Sequence, residues 1–133
     1  MFQIVRTETF EDKQIIFKEG TFGDWMYIIE EGGVEISRTV GGKKVILANL
    51  EEGEIIGEVA YISRNGRSAT AIAIGKTKLG TIDRQHFDNE FNELSHEFQA
   101  ILKTMALRLG RTTEFLMECH EKLNKQSASK NDK

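Results

Sequence analysis

The sequence has no proline and a single cysteine, Cys119, in 133 residues. One thiol cannot close an internal disulfide or build an iron–sulfur cage, each of which takes several cysteines. Cations are not in excess: 18 Lys and Arg against 21 Asp and Glu leave a net charge of −3. A general nucleic-acid binder needs a basic surplus to neutralise phosphates. No apolar run approaches the roughly 20 residues of a membrane helix. The opening residues, MFQIVRTE, are mixed in polarity and already acidic at Glu8, unlike a secretory signal or transit peptide. Phosphate loops of the Gly-x-x-x-x-Gly-Lys-Ser/Thr type, Gly-x-Gly-x-x-Gly turns and Gly-x-Ser-x-Gly elbows are all missing. The three histidines, His86, His96 and His120, are neither paired at i, i+4 nor placed on strand-like segments, as a β-fold metal centre would require. The missing prolines neither support nor oppose strands. These absences leave one soluble, cytoplasmic domain with a reduced thiol as the expectation, with no catalytic set and no metal site.

What is present divides into two halves. Up to about residue 83 the apolar residues come in short runs rich in Ile, Val and Thr: Ile15–Phe17, Met26–Glu30, Val34–Ser37, Val45–Leu50, Arg67–Ile74 and Thr77–Asp83. Turn signals separate them at Gly20, Gly23-Asp24, Gly32-Gly33, Gly41-Gly42, Gly53 and Asn65-Gly66. Runs of this kind at about 8–12-residue spacing predict an all-β sandwich or barrel, and Gly41-Gly42 predicts a tight hairpin.

From residue 84 helix formers dominate. Asp83 is placed to cap a short helix over Arg84–Glu90, and Ser95 a longer one to about Asn124. In the longer segment Leu102, Leu109, Leu116 and Leu123 recur every seven residues. Phe98, Met105, Thr112 and Cys119 lie four residues before each. Such a/d pairs predict a narrow coiled-coil seam and a homodimer; a helix lying on its own sheet also needs an apolar stripe. Gly110 costs this helix about 1 kcal/mol relative to Ala. It falls on an outer b position of the heptad, where no role follows from the pattern. Residues 125–133 are polar and Lys-rich and predict a disordered tail. The domain boundaries drawn are 1–92 for the β unit, 93–124 for the coiled-coil helix and 125–133 for the tail.

The segment GEIIGEVAYISRNGRSATAIA, residues 53–73, carries the chemistry. Gly57-Glu58-Val59-Ala60 begins a possible helical turn, whose first amides lack intrahelical partners and attract anions. Arg67 and Ser68 open the next run, where Ala69, Ala71 and Ala73 leave room beside a guanidinium able to pair bidentately with a phosphate. Glu58 cannot hold a phosphate, because like charges repel, but it can accept from a sugar hydroxyl. A Glu58–Arg67 salt bridge closing the loop explains the same residues, and both readings stand on the residues alone.

Gly57-Glu58-x-Ala60 followed by Arg67-Ser68-Ala69 resembles the phosphate-binding cassette of cyclic-nucleotide-binding domains. Ile16-Phe17-x-Glu19-Gly20, Gly23-Asp24-x-Met26-Tyr27-Ile28-Ile29, Gly33-x-Glu35-Ile36 and Leu47-x-x-Leu50-x-x-Gly53-x-x-Ile56 extend the similarity over roughly residues 10–91. Ile56 and Tyr61 stand where Phe and Leu are common in the family. The segment Met105–Glu114 is similar to the dimerisation helix of the family's catabolite activator branch. The helix that usually precedes the first strand is shortened or absent.

The resemblance implies a double-stranded β-helix (jelly roll) followed by a long dimerisation helix. It implies a cyclic-nucleotide receptor, not an enzyme, with cyclic AMP, or else cyclic GMP, as the expected ligand. Arg67 and Ser68 would take the cyclic phosphate, and Glu58 the ribose hydroxyl. The Gly57, Val59 and Ala60 backbone would lie along sugar and phosphate, and Ala69 and Ala71 would border the base. Thr112 and Thr113 would meet the adenine edge, one of them across a homodimer held by Leu102, Leu109, Leu116 and Leu123. The family's DNA-binding members carry a winged helix after the long helix. Only Asn124–Lys133 follow it here, so no direct DNA binding and no membrane association are expected. The alternatives are a degenerate binding or assembly module with a different ligand or none, and the sensor fragment of a longer transcription regulator.

Overall fold

The structure, a computed structural model, describes residues 2–23 and 25–131, with side chains as far as residue 126. Asp24, half of the expected Gly23-Asp24 turn, and the last two residues of the expected tail lie outside the described residues. Six strands form one antiparallel system among the described residues. They are β1 (Ile4–Phe10), β2 (Ile15–Phe17), β3 (Tyr27–Val40), β4 (Lys43–Leu50), β5 (Ile55–Ile56) and β6 (Thr70–Ile82). The sheet order is β1-β6-β3-β4, with β2 on β6 and β5 on β3. Three helices flank it: α1 (Glu58–Ser63), α2 (Arg84–Glu93) and α3 (His96–Asn131). This is the jelly-roll architecture expected, with the long helix at its end.

One of the expected turns, Gly32-Gly33, is a bend inside a strand, and a second strand bends beside it. β3 runs through Gly32-Gly33 with register shifts between Ile29 and Glu31 and between Glu31 and Gly33, and β6 runs through Gly75. A Cβ at Gly32 would lie 2.6 Å from the Lys76 carbonyl oxygen, closer than any side chain tolerates. The two strands therefore cross their bends on glycine backbone. Thr77, fully buried, repairs the gap this leaves in the ladder. Its hydroxyl lies 2.9 Å from the Gly33 carbonyl and accepts from the Gly33 amide at 3.4 Å. The β3–β4 hairpin turns at Gly41-Gly42 as predicted, with Val40 opposite Lys43.

β1 has no counterpart among the sequence-predicted runs. Its IVRTETF pattern is mostly exposed, because it is an edge strand that contributes little more than Phe10 to the core. Phe10 joins Ile29, Val34, Ile56, Ala71, Ala73 and Leu79 in the main cluster. A second cluster of Met26, Tyr61 and Ile82, with Phe87 packed on it, seats α1 and α2 against the roll. Tyr61 meets Phe87 edge to face at 5.4 Å between ring centroids, and its hydroxyl donates to Asp88.

The helix caps read from the sequence are in place. Asp83 Oδ1 accepts from the Gln85 amide at 3.1 Å, and Ser95 Oγ accepts from the Phe98 amide at 3.2 Å. The ends differ: α2 continues to Glu93 and α3 to Asn131. The tail expected to be disordered is thus helical as far as Asn131. Polarity marks those residues as solvated, but nothing between Asn124 and Asn131 is a helix breaker.

Leu79 is fully buried in the main cluster. Leu79→Ala is expected to cost about 2–5 kcal/mol through lost transfer energy and a cavity. Chemical denaturation measures this, and an unchanged midpoint would contradict the packing of β6 described above.

Candidate ligand-binding site

The site is built where β5 hands over to α1 and where the loop after α1 returns to β6. Gly57 is the N-cap of α1, at φ 88°. A Cβ there would stand 2.6 Å from Arg67 Nη1 and 2.7 Å from the Trp25 carbonyl oxygen. Both the left-handed backbone and the close approach demand glycine. On the other side, a Cβ at Gly23 would lie 3.0 Å from Arg67 Nε. The guanidinium thus occupies a slot between two glycines.

Arg67 is only 6% exposed. Its Nη2 donates to the Trp25 carbonyl at 2.8 Å and its Nη1 to the Gly57 carbonyl at 3.5 Å. The guanidinium carbon rests 4.2 Å from the centroid of the Phe17 ring, a cation–π contact strengthened by desolvation. Main-chain bonds fix the same loop: the Gly20 amide donates to the Arg67 carbonyl at 2.8 Å, and the Arg67 amide donates to the Thr21 carbonyl at 2.9 Å. Arg67 and Ser68 precede the strand, which starts at Thr70; the sequence reading had them opening it. Burial pushes the Tyr27 hydroxyl above its ordinary pKa, with Glu8 adding to the push, while Arg67 and Arg6 pull the other way. Tyr27 therefore stays neutral beside this cation at physiological pH.

A cavity of about 280 Å³ opens over this loop. Gly57, Glu58, Val59, Ala60, Arg67, Ser68, Ala69 and Thr113 all line it, so eight of the expected residues come together. Thr112 does not; it is exposed on the outer face of α3. Ala71 does not line the cavity either, being fully buried in the main core cluster. The apolar wall of Ile36, Leu47, Leu50 and Ile55 was missed by sequence reasoning as site material, because alternation in a strand marks an inward face without saying what fills the space. Leu109 and Gly110 complete the lining from α3. Gly110 therefore faces the cassette, in contrast to the outer position the heptad assigned it.

A second, larger cavity of about 780 Å³ adjoins the first. Its walls include Glu19, Phe22, Arg38, Arg111, Glu114 and Phe115, and it shares Val59, Arg67, Ser68 and Gly110 with the smaller one. At its edge Arg38 pairs with Glu114 of α3 and, at 3.4 Å, with Glu19. α3 otherwise leans on α1 and β3 and, among its described side chains, fully buries only Ala106 and Met117. Its outer face leaves Phe98, Ile101, Met105, Leu109, Leu116 and Leu123 each more than half exposed. Leu102 is half-buried, turned partly from that stripe. No group of side chains among the described residues is arranged to hold a metal ion. No described helix is long and apolar enough to cross a membrane.

The sequence profile of the cyclic nucleotide-binding domain matches residues 7–93, and the chain belongs to that family. It is 36% identical over 106 residues to the cAMP-dependent protein kinase regulatory subunit of Dictyostelium discoideum, covering 77% of this chain and 32% of the relative. To the cyclic AMP receptor protein of Thermus thermophilus it is 36% identical over 73 residues, 54% of this chain and 34% of the relative. The cAMP-bound form of the EAL enzyme Bd1971 superposes with a TM-score of 0.79 at 32% identity, over 96% of this chain and 34% of that one. The chain thus spans about a third of each of these proteins.

Gly57→Ala is expected to lower stability by about 1 kcal/mol or more, since it adds a strained φ and a clash with the Arg67 slot. Thermal unfolding measures the loss, and a midpoint equal to wild type would contradict the slot geometry.

Proposed function

We propose that this chain is a cyclic AMP receptor that works as a homodimer and transmits ligand occupancy through α3. One observation carries the reading: Glu58, Arg67 and Ser68 line the same cavity as Thr113 and Leu109 of α3. In this reading Arg67 and Ser68 take the cyclic phosphate and Glu58 accepts from the ribose hydroxyl. The Gly57–Ala60 main chain lies along the sugar, and Ala69 and the apolar strand wall hold the purine. Thr113 approaches the base from the same chain. Its hydroxyl now donates to the Leu109 carbonyl at 2.9 Å, a bond it can exchange for one to a ligand. Thr112, on the outer face, meets the base bound by the other copy.

The second copy is supported by the exposed stripe of α3. Phe98, Met105, Leu109, Leu116 and Leu123 keep the seven-residue repeat, and an apolar seam of this length is stable only when another helix covers it. The protein acts by binding and not by catalysis. Bound ligand biases α3, by no more than its differential affinity for the two helix positions.

Arg67→Ala is expected to weaken cyclic AMP binding at least tenfold, the equivalent of about 1.5–3 kcal/mol for a charge-assisted contact. Isothermal titration checks it, and unchanged affinity would overturn the phosphate assignment. Leu109→Glu combined with Leu116→Glu is expected to convert a dimer to a monomer; light scattering that still reports a dimer would remove the seam.

A further inference from the structure

Gly110 sits in the middle of the 36-residue α3, where glycine is the worst residue short of proline. Nothing among the described residues explains it. Its φ is not in the left-handed region, so the backbone does not require glycine. A Cβ built there meets no atom of the described residues within 4 Å, so close packing among them does not require it either. The space in front of it is the neck between the two cavities, whose common walls are Gly110, Val59, Arg67 and Ser68. The inner cavity alone, at about 280 Å³, is at the lower edge of the roughly 300–1,000 Å³ that small-molecule sites occupy.

We infer that Gly110 is a specificity-determining residue: it keeps the neck open so that the phosphate end of a ligand seated on Arg67 and Ser68 projects beneath α3 toward the outer cavity. The inference rests on the cyclic-nucleotide reading above and adds the residue that sets how large a ligand the site admits. A side chain at 110 projects into empty space in the ligand-free protein and into the ligand in the complex. Substitution there must therefore move stability and affinity in opposite directions. A role in folding alone would move them together.

The test compares wild type, Gly110→Ala, Gly110→Leu and, as a control on an exposed part of α3, Lys103→Ala. Each is measured without ligand by thermal unfolding and with cyclic AMP by isothermal titration. Gly110→Ala is expected to raise the ligand-free midpoint by about 3 °C while weakening binding several-fold. Gly110→Leu is expected to weaken it tenfold or more, and Lys103→Ala to leave it unchanged. Wild-type affinity in Gly110→Leu, or weakened binding of Gly110→Ala together with a lowered midpoint, would overturn the inference. Failure of wild type to bind either cyclic AMP or cyclic GMP would instead overturn the functional reading beneath it.

Discussion

A cation inside the fold organises the rest of this structure. Burying a guanidinium is expensive unless its donors are satisfied and its charge is compensated. The segments around Arg67 are shaped to that end. Trp25 and Gly57 give up carbonyls to it, Phe17 offers a ring face, and Gly23 and Gly57 surrender side chains to make room. Three stretches are drawn to one point: strand β2, the loop before β3 close after it, and the start of α1 some thirty residues further on. The group that would meet a ligand's phosphate is thus also a structural pin. Its geometry is set before any ligand arrives, and preorganisation of this kind reduces the ordering cost of binding.

The pin is carried by a sheet that must fold back on itself. Two long strands, β3 and β6, bend together at Gly32-Gly33 and Gly75, and Thr77 replaces the backbone bonds lost at the crossing. Folding back brings Ile36, Leu50 and Ile55 to face α3 across the cavity. The cassette is then tied outward to α2 by Tyr61, which the Phe87 ring and the Asp88 carboxylate hold from two sides.

Much of this was legible in the sequence, for identifiable reasons. Local chemistry spoke clearly: Asp83 and Ser95 as caps, Gly41-Gly42 as a hairpin, and the Gly57-Glu58 and Arg67-Ser68 pairs, of which the second proved to lie in a loop. Features that depend on distant partners did not. A glycine that lets two strands cross and a glycine that lets a chain turn look alike in one dimension, so Gly32 was read as a turn. β1 lacks the apolar alternation that signals a strand because its pairing is decided by β6, not by burial of its own face. The polarity of residues 125–131 said only that they meet water. The heptad found the exposed stripe of α3, but a repeat assigns faces relative to one partner. It could not show that Gly110 looks toward a second one.

The contact between Arg38 and Glu114 ties the middle of α3 to β3. Glu114 is largely exposed, and ion pairs of that kind contribute about 0–1 kcal/mol. Among its described side chains the helix fully buries only Ala106 and Met117. The roll holds the packed core, and α3 joins it through α1, β3 and this ion pair. Salt screens an exposed pair of this kind, so the Arg38–Glu114 tie counts for less in a concentrated buffer than in a dilute one.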